Sequence, residues 1–480
     1  MIYYASINSY KNHQMNGTMK VLLIFPDIGS FHSLQYHPGL ASISGMLKTH
    51  GYDVQFEYVS SKSDFDQVLD HVKKYRPEII GFTSVETQFI YVKTLSNLIK
   101  EIHNCVIVCG GVYTTLFPEV IENTESLDAI IRGEGEYPFL ELVRSVEKIQ
   151  PFFHINNLAY VDKTTKKITI NPLNPLITNL DELPFPDRSI FNFQQVIDKH
   201  QLVYFMFNRG CPYRCTYCCN HALARAYGME VNKMRFRSVK SCMDEIRDVL
   251  SHYKFKGMLF FGDDLFIHNK KWLDEFLDAY KKEFSLPFMC EIRCNLVSPD
   301  LYKKLRNAGC TNVTMGIESG NDFIRNNVMK RGMSKEQIFN AFSWAHQEGI
   351  VTTSTCVIGL PFETSEMIDE TADICAKTYV RFPGVNIFYP YKGTDLRKLC
   401  EDWGFLPEGI ENIEIAERKE SVLRYPHISQ QKIQNHFLNW QKNVFRKRSL
   451  IYKIQFYPKL FLTLCKKGIN LGIRTLIKSK

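Results

Sequence analysis

The stretch Arg209-Gly210-Cys211-Pro212-Tyr213-Arg214-Cys215-Thr216-Tyr217-Cys218 spaces three cysteines as C-x3-C-x2-C, directly after the apolar run Leu202 to Phe207. A strand followed by a tight cysteine loop is typical of a metal site. Three thiolates on one loop can hold three corners of a four-iron cluster and leave the fourth iron open to a ligand that is not protein. The alternatives are a structural zinc site or buried core cysteines. Zinc needs a fourth ligand, and Cys219 and His221 lie too close for a conventional zinc finger.

This spacing, with the aromatic Tyr217 between the last two cysteines, resembles the cluster loop of the radical S-adenosylmethionine (SAM) family. The resemblance implies that Cys211, Cys215 and Cys218 ligate a 4Fe–4S cluster and that the amino and carboxylate groups of SAM chelate the open iron. In that family an electron from the cluster cleaves SAM to a 5'-deoxyadenosyl radical. The same resemblance places Tyr217 beside SAM.

The composition of the chain bounds its class. At 480 residues, with 45% hydrophobic and 23% charged side chains, it has the make-up of an ordinary globular protein of about three domains. Its 14 cysteines form no short-spaced secreted framework and no signal peptide follows Met1, so we expect a cytoplasmic protein without disulfides. No window offers about eighteen uninterrupted apolar residues, which argues against a membrane-spanning helix.

The N-terminal part predicts an α/β domain. Residues 1–18 are polar and unpatterned and are expected to form a disordered leader. From residue 19 to residue 146, short apolar runs alternate with helical patterns, which predicts a doubly wound, Rossmann-like parallel sheet that binds its ligand at the carboxyl ends of the strands. The predicted strands are Lys20 to Phe25, Asp53 to Tyr58, Ile79 to Thr83, Val106 to Cys109 and Ala129 to Arg132, and the predicted helices include Gly39 to Leu47, Phe65 to Tyr75 and Val92 to His103.

Glycines and polar residues follow the third, fourth and fifth of these strands. The segments are Ser84-Val85-Glu86-Thr87, Gly110-Gly111-Val112-Tyr113-Thr114 and Gly133-Glu134-Gly135-Glu136. Glycines there let the backbone approach a large flat ligand, although each segment alone is also ordinary turn chemistry. Together, and ahead of the cysteine loop, they resemble the cobalamin-binding domain of B12-dependent radical SAM enzymes. The resemblance implies that the cobalamin contacts are Ser84, Gly110, Gly111, Gly133, Glu134 and Gly135.

The lower axial ligand of cobalt is the point where the sequence departs from that pattern. Many cobalamin domains carry D-x-H-x-x-G after the first strand, with the His as the ligand, whereas Ile28 and Gly29 follow Asp27 here. His32 and His37 fit no such spacing, and we expect them to be loop residues. Radical SAM members commonly lack that His, so the lower ligand is left unassigned.

The middle of the chain predicts a linker and a second α/β domain. Residues 147–200 contain Asn-Pro and Pro-Phe-Pro segments and are expected to form a proline-stiffened linker. Residues 201–400 repeat strand and helix, which suits the partial (β/α)6 barrel of radical SAM enzymes, with the chemistry at the carboxyl-end mouth. After the strand that leads into the cysteine loop, the predicted strands are Gly257 to Phe261, Phe288 to Cys294, Asn312 to Gly316, Val351 to Ile358 and Val385 to Tyr389.

Four of these strand ends carry segments that resemble SAM-contacting segments of the family. They are Phe261-Gly262-Asp263-Asp264-Leu265-Phe266, Arg293, Gly316-Ile317-Glu318-Ser319-Gly320 and Val357-Ile358-Gly359-Leu360-Pro361-Phe362-Glu363-Thr364. The resemblance implies that Asp263 or Asp264 accepts from the SAM amino group, that Arg293 and Glu318 contact SAM, and that Gly359 packs beside adenine. An Asp-Asp pair after a strand is equally a helix cap, and Arg293 is equally a barrel-rim ion pair.

The remaining cysteines do not suggest a second cluster. Cys219 is expected to be a bystander, and the others outside the loop are scattered, among them Cys290, Cys294, Cys356, Cys375, Cys400 and Cys465. The sequence therefore predicts one cluster.

The C-terminal region, residues 401–480, is basic and predicted to be helical. Thirteen of the 59 Lys and Arg residues of the chain, whose net charge is +8, lie between Ser421 and Lys480, where Asp and Glu are absent. This asymmetry predicts a surface for something anionic. Amphipathic segments with basic faces suit peripheral contact with the inner face of a membrane, or a helical cap over the barrel. The absence of an evident recognition fold in the sequence argues against nucleic acid as the partner.

The combined resemblance implies a cobalamin-dependent radical SAM methyltransferase that uses a 5'-deoxyadenosyl radical and methylcobalamin to methylate an unactivated carbon. Ring closure or rearrangement without methyl transfer is the alternative among enzymes, and a non-catalytic cobalamin sensor or carrier is the alternative outside them. A tRNA methylthiotransferase is disfavoured, because Cys105 and Cys109 do not supply that family's further cluster ligands. The expected electron donor is a flavodoxin- or ferredoxin-type protein. The substrate is left open among lipids or isoprenoids, natural-product precursors and peptides.

Overall fold

Two sheets organise the chain, one on either side of residue 200. The structure is a computed structural model that describes residues 18–29, 35–162, 164–230, 233–450 and 452–453. The predictions for the leader (residues 1–17), for His32 and for residues 454–480, which include Cys465, lie outside the described residues.

The first sheet has seven strands with helices on both faces. The strands are β1 (Lys20–Pro26), β2 (Asp53–Val59), β3 (Ile79–Thr83), β4 (Val106–Gly110), β5 (Ala129–Ile131), β6 (Leu158–Val161) and β7 (Ile168–Ile170). The helices are α1 (Pro38–Thr49), α2 (Phe65–Tyr75), α3 (Phe89–Ile102), α4 (Val112–Leu116) and α5 (Glu136–Glu147). The spatial order is β2-β1-β3-β4-β5-β6-β7, and β1 to β5 are parallel. This confirms the predicted doubly wound sheet.

Strand β1 shows why this sheet is visible in the sequence as uninterrupted apolar runs. Val21 and Leu23 pack into one hydrophobic core, and Leu22 and Ile24 pack into the core on the other face of the sheet. A strand that is buried on both faces has no polar alternation. Helices therefore cover both faces, and the carboxyl-end edge is where a ligand can reach the strands.

Strands β6 and β7 fall inside the predicted linker and were not anticipated. Each has four residues or fewer, and both are antiparallel, β6 to β5 and β7 to β6. They extend the first sheet beyond the parallel strands. The proline-rich part that follows is fixed by Asn171, whose side-chain amide donates to the carbonyls of Phe153 and Ile155 at 2.7 Å.

The second sheet forms the predicted partial barrel. Its strands are β8 (Leu202–Phe205), β11 (Met258–Phe261), β12 (Phe288–Ile292), β13 (Cys310–Glu318), β14 (Val351–Ile358), β15 (Phe382–Pro383) and β16 (Asn386–Ile387), while β9 (Asn208–Arg209) and β10 (Arg235–Phe236) pair separately. The helices are α6 (Phe193–His200), α7 (Cys219–Ala226), α8 (Val239–His252), α9 (Lys270–Glu283), α10 (Pro299–Asn307), α11 (Lys335–Gln347), α12 (Ser365–Lys377) and α13 (Asp395–Asp402). The order β8-β11-β12-β13-β14-β15 is parallel throughout. The predicted sixth strand is divided, since β15 and β16 both pair with β14.

The C-terminal region begins with an irregular segment rather than a helix. Residues 403–429 contain one short 3-10 turn, Ile410–Asn412, and reach back to the first domain. There the Glu417 amide donates to the Gly29 carbonyl at 2.9 Å, and Lys62 pairs with Glu414 at 2.6 Å.

Helices α14 (Gln430–Leu438) and α15 (Trp440–Lys447) then pack on the outside of the barrel. Ile433 and Val444 are buried, and Lys447 pairs with Asp373 of α12 at 2.6 Å. This part of the basic region therefore forms a helical cap. Among the described residues, no helix is both long and apolar enough to cross a bilayer.

Candidate active site between the two sheets

A cavity of about 680 Å³ lies between the carboxyl-end edges of the two sheets. The first sheet contributes Ser84 and Gly111, the barrel contributes Gly262 and Glu291, and the irregular C-terminal segment contributes Arg418. Two edges that each bind ligands in folds of this kind therefore face each other across one space.

The ion pair between Glu86 and Arg397 holds these two edges together. Glu86 follows β3, and its carboxylate accepts from Arg397 Nη1 at 3.1 Å and from the Lys392 amide at 2.6 Å. Both charged side chains are buried. Burial raises the pKa of Glu86, and Arg397 opposes that shift. Glu86 therefore joins the two domains.

The cysteine loop leaves the barrel after β9 and ends at the start of α7. Gly210 takes a φ of 99°, which suits a residue without a Cβ. The loop is fixed to the barrel by Thr216, whose amide donates to the Met329 carbonyl at 3.2 Å and whose hydroxyl donates to the Val328 carbonyl at 2.6 Å. Within the loop, the Cys218 amide donates to the Cys215 carbonyl at 3.1 Å.

The thiols of the cysteine loop are partly or fully shielded from solvent. Cys215 is buried, and Cys211 and Cys218 are half-buried. Burial raises the pKa of Cys211 to about 12, and Cys218, Asp264 and Cys215 add to the shift. Among the described residues, no three His, Cys, Asp or Glu side chains are grouped closely enough to hold one metal ion. A four-iron cluster spaces its ligands more widely, because each thiolate binds a different iron.

Arg293 lies beside the buried thiol. Its Nη1 is 3.7 Å from Cys215 Sγ, and its guanidinium lies 3.8 Å from the centre of the Tyr213 ring. Its Nε donates to Asn295 Oδ1 at 2.8 Å. The structure thus places a cation next to a predicted cluster ligand, where it stabilises negative charge on sulfur.

Arg331 is a second cation beside the Cys215 thiol, and no sequence pattern predicted it. Its Nη1 donates to Tyr217 Oη at 3.0 Å and lies 4.0 Å from Cys215 Sγ. Its Nη2 donates to the Gly316 carbonyl at 3.0 Å and lies 3.7 Å from Glu318 Oε1. Arg331 therefore connects the cysteine loop with the end of β13. It follows an irregular segment, so no strand pattern marks it.

Glu318 takes an unusual conformation at the end of β13. Its φ is 63° and the register of β13 with β14 shifts between Gly316 and Glu318. A residue other than glycine in this region is strained, and such strain concentrates at functional sites. Burial raises the pKa of Glu318, and Arg331 opposes the shift. The carboxylate also accepts from Thr355 Oγ1 at 3.4 Å.

The two aspartates after β11 have different surroundings. Asp263 is fully buried, and its Oδ1 accepts from the amides of Phe207 and Asn208 at 2.6 and 2.7 Å. Burial raises its pKa to about 8. Asp264 is exposed and close enough to the loop to affect the pKa of Cys211. Asp263 thus holds the strand that leads into the loop, and Asp264 is the aspartate that faces the thiols.

Glu291 of β12 is a cavity residue that was not among the predicted site residues. It lines the cavity between the domains. Burial raises its pKa to about 7, and the Asp264 and Glu318 carboxylates add to the shift. Its position one residue before the strand end, where alternate side chains face the barrel interior, was the available signal.

Gly359, which was predicted to pack beside adenine, contacts the C-terminal region. Its φ is 75°, and an added Cβ would lie 3.0 Å from the Ile433 side chain. Its amide donates to Glu363 Oε2 at 2.7 Å, and its carbonyl accepts from Tyr425 Oη at 2.9 Å. The structure does not bring Gly359 to the thiols, and its place beside adenine stays a prediction.

Glycines shape the ligand edge of the first sheet. Gly111 has a φ of 107°, and an added Cβ would lie 2.5 Å from the Ser84 carbonyl oxygen. Gly110 accepts from the Ser84 amide at 3.2 Å and has more room around it. A second cavity of about 250 Å³ runs along Gly110, Gly111, Gly133, Glu134 and Gly135. The two cavities and the bare backbone between them fit a large flat cofactor with a tail.

His37 lies between the two cavities and lines both. Its Nδ1 accepts from the Leu40 amide at 3.2 Å, so it caps the N-terminus of α1. The predicted loop residue is therefore a helix cap. The lower ligand of cobalt stays unassigned.

Glu134 and Gly133, predicted to contact cobalamin, also contact the barrel. The Glu134 carboxylate binds Arg209 at 3.0 Å and Arg235 at 2.9 Å, and it accepts from the Ile177 amide at 2.8 Å. An added Cβ at Gly133 would lie 2.0 Å from the hydroxyl of Tyr227, the C-cap of α7. Direct contact of Glu134 with cobalamin stays a prediction.

Known proteins match both halves of the chain. Residues 205–375 match the family described as the Radical SAM superfamily, and residues 27–143 match the family described as the B12 binding domain. The first match contains the cysteine loop, Glu318 and Gly359, and the second contains β2 to β5 with the glycine segments.

Curated relatives extend across both domains. An uncharacterized methyltransferase of Pyrococcus horikoshii is 27% identical over 387 residues, which cover 79% of this chain and 82% of the relative. An anaerobic magnesium-protoporphyrin IX monomethyl ester cyclase of Rubrivivax gelatinosus is 27% identical over 369 residues, which cover 74% of this chain and 65% of the cyclase. The chain thus spans less than two thirds of the cyclase.

A solved structure shows the same fold. The radical SAM methyltransferase TsrM of Kitasatospora setae, with cobalamin and a 4Fe–4S cluster bound, superposes with a TM-score of 0.65 at 14% identity, covering 91% of this chain and 90% of that chain. The two matched families, in this order along one chain and on this fold, agree with the thiols at one edge and the glycines at the other. The chain therefore belongs to the radical SAM enzymes that carry a B12-binding domain, and its cofactors are a 4Fe–4S cluster, SAM and cobalamin.

Proposed function

We propose that this enzyme is a methyltransferase that acts on an unactivated carbon of an organic substrate. The observation that carries the proposal is the 680 Å³ cavity, which is bounded on one side by Ser84 and Gly111 and on the other by Gly262 and Glu291. A substrate in this space can meet both cofactors. When bound, the cluster and SAM supply a 5'-deoxyadenosyl radical that removes hydrogen, and cobalamin supplies the methyl group.

The residues near the cysteine loop would hold the cluster and SAM. Cys211, Cys215 and Cys218 are the thiolate ligands of this proposal. Arg331 and Glu318 offer opposite charges to the carboxylate and amino groups or the ribose of SAM. Asp264 is assigned to the SAM amino group in preference to Asp263, whose bonded oxygen already accepts two backbone amides.

The residues of the first domain would hold cobalamin and limit where it can lie. Gly110 and Gly111 bring backbone close to the corrin plane, and the smaller cavity along Gly133 and Gly135 takes the nucleotide tail. Glu291 and Arg418 line the remaining space and would face the organic substrate. These side chains exclude water and orient the substrate, which is the contribution a protein makes to cofactor chemistry.

The extent of the match supports methyl transfer over ring closure. The chain covers 82% of the Pyrococcus methyltransferase but 65% of the Rubrivivax cyclase. The cyclase therefore contains sequence for which this chain has no matched counterpart. An intact three-cysteine loop next to two cations, buried Arg293 and half-buried Arg331, also argues for a working cluster site rather than a sensor.

Anaerobic reconstitution with iron, sulfide and hydroxocobalamin tests the proposal. We expect about four irons and one corrinoid per chain after desalting. With SAM and titanium(III) citrate we expect both 5'-deoxyadenosine and S-adenosylhomocysteine. Deoxyadenosine without S-adenosylhomocysteine would favour ring closure or rearrangement, and bound corrinoid without deoxyadenosine would favour a sensor.

Two neighbouring cysteines provide a matched control. Cys215→Ala should lose iron and deoxyadenosine formation, because Cys215 is a proposed ligand. Cys219→Ala, at the first turn of α7, should retain both. Equal loss in both variants would contradict the assignment of the ligands.

We also propose two partners. An electron donor of flavodoxin or ferredoxin type is required, because SAM cleavage by the cluster consumes one electron.

Residues 454–480 contain six Lys or Arg and no Asp or Glu, which supports contact with an anionic surface. Because α15 packs on the barrel, a deletion that begins at Ile454 spares it. The shortened protein should lose binding to phosphatidylglycerol vesicles, and unchanged binding would contradict this contact.

A further inference from the structure

We propose that the segment Gly133 to Glu136 positions the cysteine loop against the first domain, through an interdomain cluster formed by Glu134, Glu136, Arg209 and Arg235. This role is additional to any contact the segment makes with cobalamin. Arg209 is two residues before Cys211, and Arg235 lies on the strand that pairs with β9. The first domain thus contacts the barrel at the place where the cluster loop begins.

Arg209 is the centre of the cluster. Its Nη1 donates to Glu134 Oε1 at 3.0 Å, and its Nη2 donates to Glu136 Oε1 at 2.5 Å. One guanidinium therefore bridges two carboxylates that follow the same strand, β5. The geometry uses both ends of the arginine fork, which a lysine cannot reproduce.

Burial and hydrogen bonds hold the Glu136 carboxylate in this cluster. It is buried, and the Ser42 hydroxyl donates to its Oε1 at 2.7 Å. Burial acts to raise the pKa of Glu136, but Arg209 and Ser42 outweigh it and hold that pKa below its usual value. The carboxylate is therefore ionised, and its charge is compensated inside the protein.

Arg235 balances the second carboxylate. Its Nη1 lies 2.9 and 3.0 Å from the two oxygens of Glu134 and donates to the Ile177 carbonyl at 2.7 Å. The cluster thus holds two positive and two negative charges, and its members are largely shielded from water. Removal of one member leaves an uncompensated charge at the interface, which is strongly unfavourable.

Tyr227 also connects the first domain to the barrel, at the C-terminal end of α7, the helix that follows the cysteine loop. Tyr227 is the C-cap of α7, and its hydroxyl accepts from the Glu134 amide at 2.9 Å. Gly133 leaves the space that this hydroxyl occupies, since an added Cβ would lie 2.0 Å from it. One segment of the first domain therefore fixes both flanks of residues 210–226.

This arrangement sets the distance between the two proposed cofactor sites. The segment Gly133 to Gly135 lines the cavity assigned to cobalamin, and the loop that it fixes carries the cluster ligands. A shift of about 1 Å in such a relationship can reduce a rate about 100-fold. Glu134, Arg209 and Tyr227 are therefore positioning residues, and they act through the loop.

The test compares Glu134→Gln with Asp128→Asn in the full-length reconstituted protein. Asp128 forms an ion pair with Lys100 at 2.6 Å inside the first domain and is the matched control. In Glu134→Gln, hydrogen exchange of amides 210–218 should rise about tenfold, while β14 is unchanged. In Asp128→Asn the loop should exchange as in the wild type. Equal loop exchange in both variants would overturn the proposal.

A second readout uses SAM as the only substrate, with titanium(III) citrate. S-adenosylhomocysteine formation needs the two domains in register, whereas deoxyadenosine formation needs only the barrel. Glu134→Gln should therefore lower the ratio of S-adenosylhomocysteine to deoxyadenosine about tenfold. An unchanged ratio would overturn the positioning role. This readout rests on the proposed methyl transfer, and the exchange measurement does not. If the wild type forms no S-adenosylhomocysteine, the proposed function fails while the exchange result still decides the positioning role.

Tyr227→Phe covers the case in which Glu134→Gln does not fold. It removes one hydroxyl and leaves all four charges in place, so the chain should fold. Exchange should increase towards the α7 end of the loop, and Tyr253→Phe, which alters a tyrosine elsewhere in the barrel, serves as its control. No difference between these two variants would contradict the role of Tyr227.

Discussion

Gly316 leaves the space that the Glu318 carboxylate occupies. An added Cβ at Gly316 would lie 2.1 Å from Glu318 Oε1 and 2.7 Å from Arg331 Nη2. Gly316→Ala should therefore displace Glu318 from Arg331 and weaken SAM binding by about 10- to 100-fold. Equilibrium dialysis of SAM against the anaerobically reconstituted enzyme measures the effect.

Glu318→Gln is the companion variant, because it removes the charge without adding an atom near Arg331. It should weaken SAM binding to a similar extent. If Gly316→Ala weakens binding and Glu318→Gln does not, the carboxylate does not contact SAM.

Arg331 joins Cys215, Tyr217 and Glu318, so its loss should affect the cluster as well as SAM. Arg331→Gln should lower the rate of deoxyadenosine formation about 100-fold or more, because a half-buried cation next to the cluster loop is lost. Lys330→Gln changes the exposed neighbouring residue and should stay near the wild-type rate. Equal rates in the two variants would exclude a role for Arg331.

Gly111 and Gly110 form a pair with different amounts of space. Gly111→Ala forces a Cβ to within 2.8 Å of the Ser84 amide nitrogen at a φ of 107°, so it should destabilise the first domain by about 2 kcal/mol or more and abolish corrinoid binding. Gly110→Ala meets its nearest atom at 3.4 Å and should fold normally. Thermal unfolding and the absorbance of bound corrinoid measure both effects.

A loss of corrinoid binding in well-folded Gly110→Ala would report direct contact between the backbone and the corrin. Stable Gly111→Ala with normal corrinoid binding would show that the turn after β4 does not form this edge of the site.

Because of Glu363, we expect the free energy of unfolding to fall as pH rises. Burial raises its pKa to about 8, although the amides of Leu360 and Gly359 donate to it. Between its usual pKa and about 8, the native state holds a proton that the unfolded state has released, so stability falls with rising pH. Glu363→Gln should remove about 2–4 kcal/mol of that loss between pH 5 and pH 8.

Urea unfolding at pH 5 and pH 8 measures the difference. Burial also raises the pKa of Asp263 to about 8 and that of Glu291 to about 7, so the variant should retain part of the dependence. An identical fall in wild type and Glu363→Gln would show that Glu363 ionises normally in the native protein.

The sequence predicts the fold well where burial leaves a long pattern. Strand β1 is apolar throughout because both of its faces are covered. In the barrel, β12 and β14 instead alternate buried residues with less buried ones. The short antiparallel strands β6 and β7 leave too few residues for a pattern to show. Residues 403–429 take their shape from contacts with the first domain, such as that of Glu417 with Gly29, so local sequence does not reveal it.

The residues of the site divide in the same way, into those that a sequence pattern predicts and those that depend on packing. The three cysteines are close in sequence, and their spacing carries the chemistry. Arg331 lies 116 residues after Cys215, and Arg209 meets Glu134 across 75 residues. Contacts of this kind depend on how the domains pack, and one sequence contains no periodic trace of them. The different surroundings of Asp263 and Asp264 likewise come from the fold.

The pair formed by Glu86 and Arg397 has a consequence for synthesis on the ribosome. The two residues are 311 positions apart, so Arg397 is synthesised roughly 15–60 s after Glu86. During that interval the first domain has all of its parallel strands, while its ligand edge is not yet covered by the barrel. We therefore expect the nascent chain to have a period in which this edge is open to a corrinoid.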